Sequence, residues 1–165
     1  MNDFAQTELP FLAGVDEQGQ PVFEAIPVQQ LDDRHARLLK SPLFVRNLAA
    51  GDKIEIRDRA TADYDLVQRS GNLAIRLFAR DGIAEIVDNL QGNIEKLGGS
   101  LDMQTDRAAA FSVHYSVGFK QIEAVLDDAL ADHLEAVWYY GNVYDPEDGR
   151  TPLDWWKTLG NEEAP

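Results

Sequence analysis

Apolar positions in the second half of the chain fall into clean strand and helix periods. Over residues 72–79, Leu73, Ile75 and Leu77 alternate with Asn72, Ala74 and Arg76, the period of two that marks a β-strand. Asp81-Gly82 breaks the run. Ile83, Ile86, Val87, Leu90, Ile94 and Leu97 then share one stripe along an amphipathic helix. Gly98-Gly99 ends that helix, because glycine reaches the left-handed cap conformation without steric cost. A weak strand over 100–105 and a strong one over 109–117 follow. The strong strand carries Phe111, Val113, Tyr115 and Val117 on one face, with Ser112, His114 and Ser116 on the other. A second stripe of Phe119, Ile122, Val125, Leu126, Ala129 and Leu130 predicts another helix, with Glu123, Asp127, Asp128 and Asp132 projecting outward. A strand over 135–143 closes the series. The order β-α-β-β-α-β predicts a ferredoxin-like unit over 72–145, with strands 72–79 and 109–117 side by side in the centre.

Residues 1–71 are β-rich and less regular. Segments 11–15 and 22–28 flank the turn DEQGQP and read as a hairpin. A helical turn is expected within 31–44, ended or preceded by Pro42. A Gly-Asp turn at Gly51-Asp52 enters a strand with Ile54 and Ile56 inward, and 64–70 returns as its partner. Four short strands predict a small antiparallel β unit, an open barrel or a curled sheet. The chain as a whole is therefore expected to be α+β. Its last part, 146–165, is an acidic, Trp-containing tail. There Thr151 is the expected N-cap, Pro152 the first helical residue and Asp154 the capping-box acid of a short helix ended by Gly160. Leu153, Trp156 and Leu159 are expected to dock, leaving Trp155 as an exposed aromatic.

Charge changes the picture next. The net charge is −14 over 165 residues. Acids dominate 1–33 and 118–165, whereas bases outnumber acids over 34–80. Nucleic acid is a poor partner for such a chain, since phosphate binding needs a basic footprint. No apolar run is long enough for a membrane span. The N-terminal stretch carries acids where a secretion signal would carry Lys or Arg. Cysteine is absent, which removes thiol nucleophiles and thiolate metal sites. The expected location is cytoplasmic.

The stretches GDKIEI (51–56), RSGNLAIRLF (69–78), LGGSLD (97–102) and VWYYGN (137–142) resemble those of an uncharacterised bacterial family, domain of unknown function 4265. The resemblance covers roughly residues 11–145 and leaves out the tail. It implies a small accessory protein and carries no catalytic residues. Some family members stand beside secreted antibacterial toxins, so the resemblance also implies an antibacterial context.

Candidate chemistry is sparse. His35, His114 and His133 are scattered, without metal-ligand spacing, and no cofactor or metal is expected. On the strand face away from the helices, Arg76, Ser112 and His114 form a candidate anion or carboxylate site. No Asp or Glu on those strands is placed to orient the imidazole for a serine-hydrolase triad. The alternative for this face is packing against the N-terminal unit. Glu123, Asp127, Asp128, Asp132, Asp145, Glu147, Asp148 and Trp155 form a candidate partner-binding surface, with charge to steer a cationic protein and an aromatic anchor. Two functions follow. The first is a cytoplasmic immunity or inhibitor protein that blocks a basic partner, such as a toxin domain encoded by the neighbouring gene. The alternative is a small-ligand or regulatory sensor with its site between the two units. An enzyme of unrecognised type stands third, lacking a convergent acid, base or nucleophile.

Overall fold

Among the described residues, two antiparallel sheets, of five and four strands, and three α-helices make up the α+β structure. The computed structural model describes residues 6–162, with side chains through Leu159, so 1–5 of the acidic N-terminal segment and 163–165 of the tail lie outside the description.

β1 (Gln6–Val15) and β2 (Pro21–Gln30) form the predicted hairpin. The Asp16 carboxylate closes it by accepting the backbone N–H groups of Gln18 and Gln20, both at 2.9 Å. β3 (His35–Leu38), β4 (Lys53–Asp58) and β5 (Asp63–Gln68) continue the sheet in chain order. The sheet is open rather than a closed barrel, and it has five strands where the pattern predicted four. Phe11, Ile26, Val28, Ala36, Leu38, Leu48 and Ile54 build its core.

The helical turn expected within 31–44 is not formed. Asp32 instead accepts the N–H groups of Arg34 and His35, both at 2.8 Å, and bends the chain into β3. Ala36 and Leu38 then alternate inward as a strand requires.

The link from 39 to 52 lies between the sheets and is tied down by two buried acids. Glu24 accepts the N–H groups of Leu43 (2.7 Å), Phe44 (3.0 Å) and Val45 (3.0 Å). Asp52 accepts those of Ala49 (3.0 Å) and Ser70 (2.9 Å). Gly51 makes this turn possible: its φ is +86° and a Cβ there would lie 2.7 Å from the Ser70 Cβ.

Burial pushes the Asp52 carboxyl up from 3.8 to about 6, and its hydrogen bonds oppose the shift. A carboxyl raised on folding stabilises the native state most below its unfolded value, and that contribution is lost as pH rises through the folded value. Relative to Asp52→Asn, the wild type is therefore expected to lose stability, on the order of 2 kcal/mol, between about pH 4 and 6.5. Urea unfolding of both proteins across that range checks it. A difference that stays flat with pH would mean that Asp52 titrates as an ordinary carboxyl.

β6 (Asn72–Phe78) sends Leu73, Ile75 and Leu77 to the helices and Asn72, Ala74, Arg76 and Phe78 to the opposite face. α1 (Ile83–Lys96) buries Ile83, Ile86, Val87, Leu90 and Ile94 against the sheet. β7 (Ser100–Gln104) and β8 (Ala108–His114) follow, then α2 (Phe119–Ala129) and β9 (Val137–Tyr140). The strand order is β7-β8-β6-β9, so β6 and β8 are central and β9 is an edge. Ile122 and Leu126 are buried, but Leu130 is half-buried, because α2 ends at Ala129 and Leu130 only caps it.

Two further boundaries differ from the periodic reading. β8 stops at His114, and Tyr115–Val117 forms a 3-10 turn whose Ser116 N–H donates to the His114 Nδ1 at 3.2 Å. α3 (Trp155–Glu162) starts later than a Thr151 cap allows and runs past Gly160. The Thr151 N–H donates to Asp148 at 2.9 Å, Tyr144 and Pro152 form a β-bridge, and the Leu153 N–H donates to the Val143 carbonyl at 2.8 Å. These pairings hold 151–153 extended. No helix among the described residues is long and apolar enough to cross a membrane.

Candidate functional site

The alternation of β6 puts Arg76 on the helix-free face, paired across the ladders with Ala110 and Tyr139. The 39–52 link covers it, leaving the residue 6% exposed. The Arg76 Nη1 donates to the Phe44 carbonyl at 3.0 Å, while Nε and Nη2 have no partner among the described residues. Gly141 lies directly over the guanidinium, where a Cβ would come within 2.7 Å of Nε. Only glycine lets the backbone approach this closely.

Burial pulls Arg76 down to about 10, the Glu24 charge opposes that shift, and Arg46 adds to it. The group remains a cation at neutral pH. No carboxylate among the described residues lies within ion-pair distance of it, and both Glu24 oxygens accept backbone N–H groups. Arg76 is thus a buried positive charge with two unpaired donor nitrogens, both screened from solvent beneath Gly141.

This cation sits at the floor of an open cleft of about 1060 Å³. Six aromatic side chains wall it: Phe44, Phe78, Trp138, Tyr139, Tyr140 and Tyr144. Phe44 and Phe78 stack at 6.0 Å between centroids, and Tyr139 leans on Phe78 at 6.1 Å. Arg46, Glu123 and Asp145 complete the lining, with Ala13 and Gly14 on the wall formed by β1. Burial and the neighbouring Glu123 charge push the Tyr140 phenol above the ordinary range, so it stays protonated and donates to Glu123 at 3.0 Å. The chemistry on offer is a fixed cation, aromatic faces and phenol groups. A nucleophile–base pair is not among its lining residues.

The predicted Arg76–Ser112–His114 cluster does not assemble. All three side chains share a face, but His114 pairs with Asn72 and Ser112 with Ala74. His114 is thus four residues from the Arg76 position, about 13 Å along the strands. It is exposed, with its Nδ1 2.8 Å from the Ser116 hydroxyl. Ser112 is buried, 2.6 Å from the Ser41 hydroxyl, and donates to Asp102. It joins the link to the second sheet.

The predicted acidic surface divides in two. Glu123 accepts the Tyr140 hydroxyl, and Asp127 accepts the Trp138 indole N–H at 2.9 Å. Asp145 and Asp148 accept backbone N–H groups within their own loop. These four brace the structure. Asp127 and Asp148 are nonetheless exposed, as are Asp128, Asp132 and Glu147. Trp155 is not the exposed aromatic expected. With α3 beginning at residue 155, its ring turns onto the body: Nε1 donates to the Asn142 carbonyl at 2.8 Å, Tyr115 meets it edge-on at 5.9 Å, and the Arg69 guanidinium lies 5.2 Å from its centroid. Among the described residues no group of three or more His, Asp or Glu could hold a metal ion.

The family model described as Domain of unknown function (DUF4265) matches residues 24–138. The chain belongs to this family. The match takes in Arg76, the 39–52 link and the first two residues of β9, but not Gly141. No curated protein shows significant similarity. The structure of a hypothetical protein from Neisseria gonorrhoeae superimposes with a TM-score of 0.60, covering 85% of this chain and 96% of that one at 16% identity. That likeness is one of fold.

Sequence reasoning missed the cleft's walls. Phe44 lies in a link without periodicity, and Tyr139 is one position of a short strand with aromatic residues on both faces. One signal was present: Tyr139 and Arg76 both alternate to helix-free faces of strands in the same sheet.

Proposed function

We propose that the chain is a cytoplasmic, non-enzymatic binding protein that takes an anionic ligand in the cleft between its two sheets. The observation that carries this reading is the Arg76 guanidinium, 6% exposed at the cleft floor and without a partner on two of its nitrogens. Glu24 offsets this buried charge only from beyond ion-pair contact, and a carboxylate bound over the cleft floor would offset it further. Surrounding aromatic faces would exclude water from that contact. Two units, 1–71 and 72–145, would hold the cleft between them, with 146–165 as a bracing tail. The second is read as ferredoxin-like, supported by the order β7-β8-β6-β9 and its two apolar-striped helices.

Titration with glutarate and succinate, followed through tryptophan emission and thermal shift, tests the reading. The wild type is expected to respond at millimolar ligand, and Arg76→Met to lose the response. An equal response in both proteins, or none in either, would reject the site.

The exposed carboxylates of Asp128, Asp132 and Glu147 support a second reading, an immunity or inhibitor protein steered onto a basic partner. A pull-down with the neighbouring gene's product, repeated after Asp128→Asn, Asp132→Asn and Glu147→Gln, separates it from the first. Binding that survives all three changes undiminished would remove these acids from the interface.

A further inference from the structure

The cleft runs over the free edge of β9. Its lining includes the consecutive residues Trp138, Tyr139 and Tyr140, which alternate to opposite faces of the sheet, so it wraps the strand rather than lying on one side. The hydrogen-bond pattern shows which backbone groups face it. The Gly141 N–H donates to the Ala74 carbonyl at 2.7 Å, so Gly141 turns its N–H to β6, while its carbonyl accepts the Asn47 N–H at 2.8 Å. By antiparallel alternation, Tyr139 and Val137 also turn their N–H and C=O groups to β6. Trp138 and Tyr140 turn theirs outward, into the cleft, and no strand among the described residues pairs with them.

The other three sheet edges are blunted. β1 carries Pro10 and a register break at Leu12/Gly14, β5 carries Asp63 and Asp65 and breaks in its pairing, and β7 carries Asp102 and a break at Leu101/Met103. Such features keep foreign strands from pairing with an edge. β9 reads Val-Trp-Tyr-Tyr, without charge, proline or register break. Its edge is aromatic and lines the cleft, and the buried cation Arg76 stands on the neighbouring strand.

We infer that the ligand of this cleft is an extended polypeptide segment that adds as a strand to β9 and presents an acidic side chain to Arg76. This rests on the cleft reading above and specifies its occupant. Main-chain bonds to Trp138 and Tyr140 would supply affinity, as in other strand additions, and the alternating side chains would supply selectivity. Arg76 opposes Tyr139 on β6, so the acid falls on the face that Tyr139 and Phe78 share.

The probe is a blocked peptide of alternating valine and threonine with one central glutamate, labelled and titrated against the full chain. Three counterparts accompany it: central glutamine, and N-methylation of either alternate set of backbone nitrogens. The glutamate peptide is expected to bind, and glutamine to weaken it about tenfold or more, as loss of an attraction to a partly desolvated charge does. One methylated set should lose binding and the other keep it, because only one edge of the peptide meets β9. Equal tolerance of both sets, or equal affinity of the glutamate and glutamine peptides, overturns the inference. If glutarate engages Arg76 and no peptide binds, the cleft reading stands and the strand inference falls. If neither glutarate nor peptide depends on Arg76, both fall.

Discussion

Leu90→Ala is expected to lower the unfolding free energy by about 2–5 kcal/mol, the range for truncating a buried leucine in a packed core. Leu90 is fully buried at the middle of the α1 stripe, among Ile75, Ile86, Ile94 and Phe111 in the same cluster. Rigid strands on one side and α2 on the other limit how far the cavity can collapse. The change acts on the second sheet's core and leaves the cleft residues in place. Chemical denaturation measures it, and a loss below about 0.5 kcal/mol would be typical of a surface position instead.

Arg76→Met is expected to do the opposite, raising stability by about 1–4 kcal/mol, as apolar replacement of buried charged groups does. The variant sacrifices one hydrogen bond, from Nη1 to the Phe44 carbonyl. It removes a buried cation and two unpaired donors, and methionine fills the same slot under Gly141. Gain of stability with loss of ligand response is the signature of a group retained for binding. Thermal unfolding without ligand checks the first half. A destabilised Arg76→Met protein would mean that the guanidinium is structural, held through Phe44 and the field of Glu24.

Much of the second half was legible because its signals are local and repeated. The α1 stripe spans many turns, each repeating the same burial, so no distant contact was needed to identify it. Central pairing of β6 and β8 followed from the order of elements. Where signals were short, the local reading failed. Thr151-Pro152 satisfies the rules for a helix start, but the same threonine serves equally well in a turn once Asp148 accepts its N–H and Pro152 pairs with Tyr144. Asp32 likewise met the chain as part of a helical turn, and β3 pairing with β2 and β4 decided for a strand. Trp155 turned inward because α3 begins three residues after Pro152, not at it.

The sequence by itself determined the periods: which residues face a core, where the two long helices run, and that Arg76 stands on the face away from them. Only the tertiary structure decided what lies on that face. Phe44 comes from a link 32 residues before Arg76, and Gly141 from a strand far after it. Their approach depends on how two sheets pack through Glu24, Asp52 and Ser112. Periodicity records a residue's neighbours along its own element, whereas a cleft is made by elements that meet only after folding.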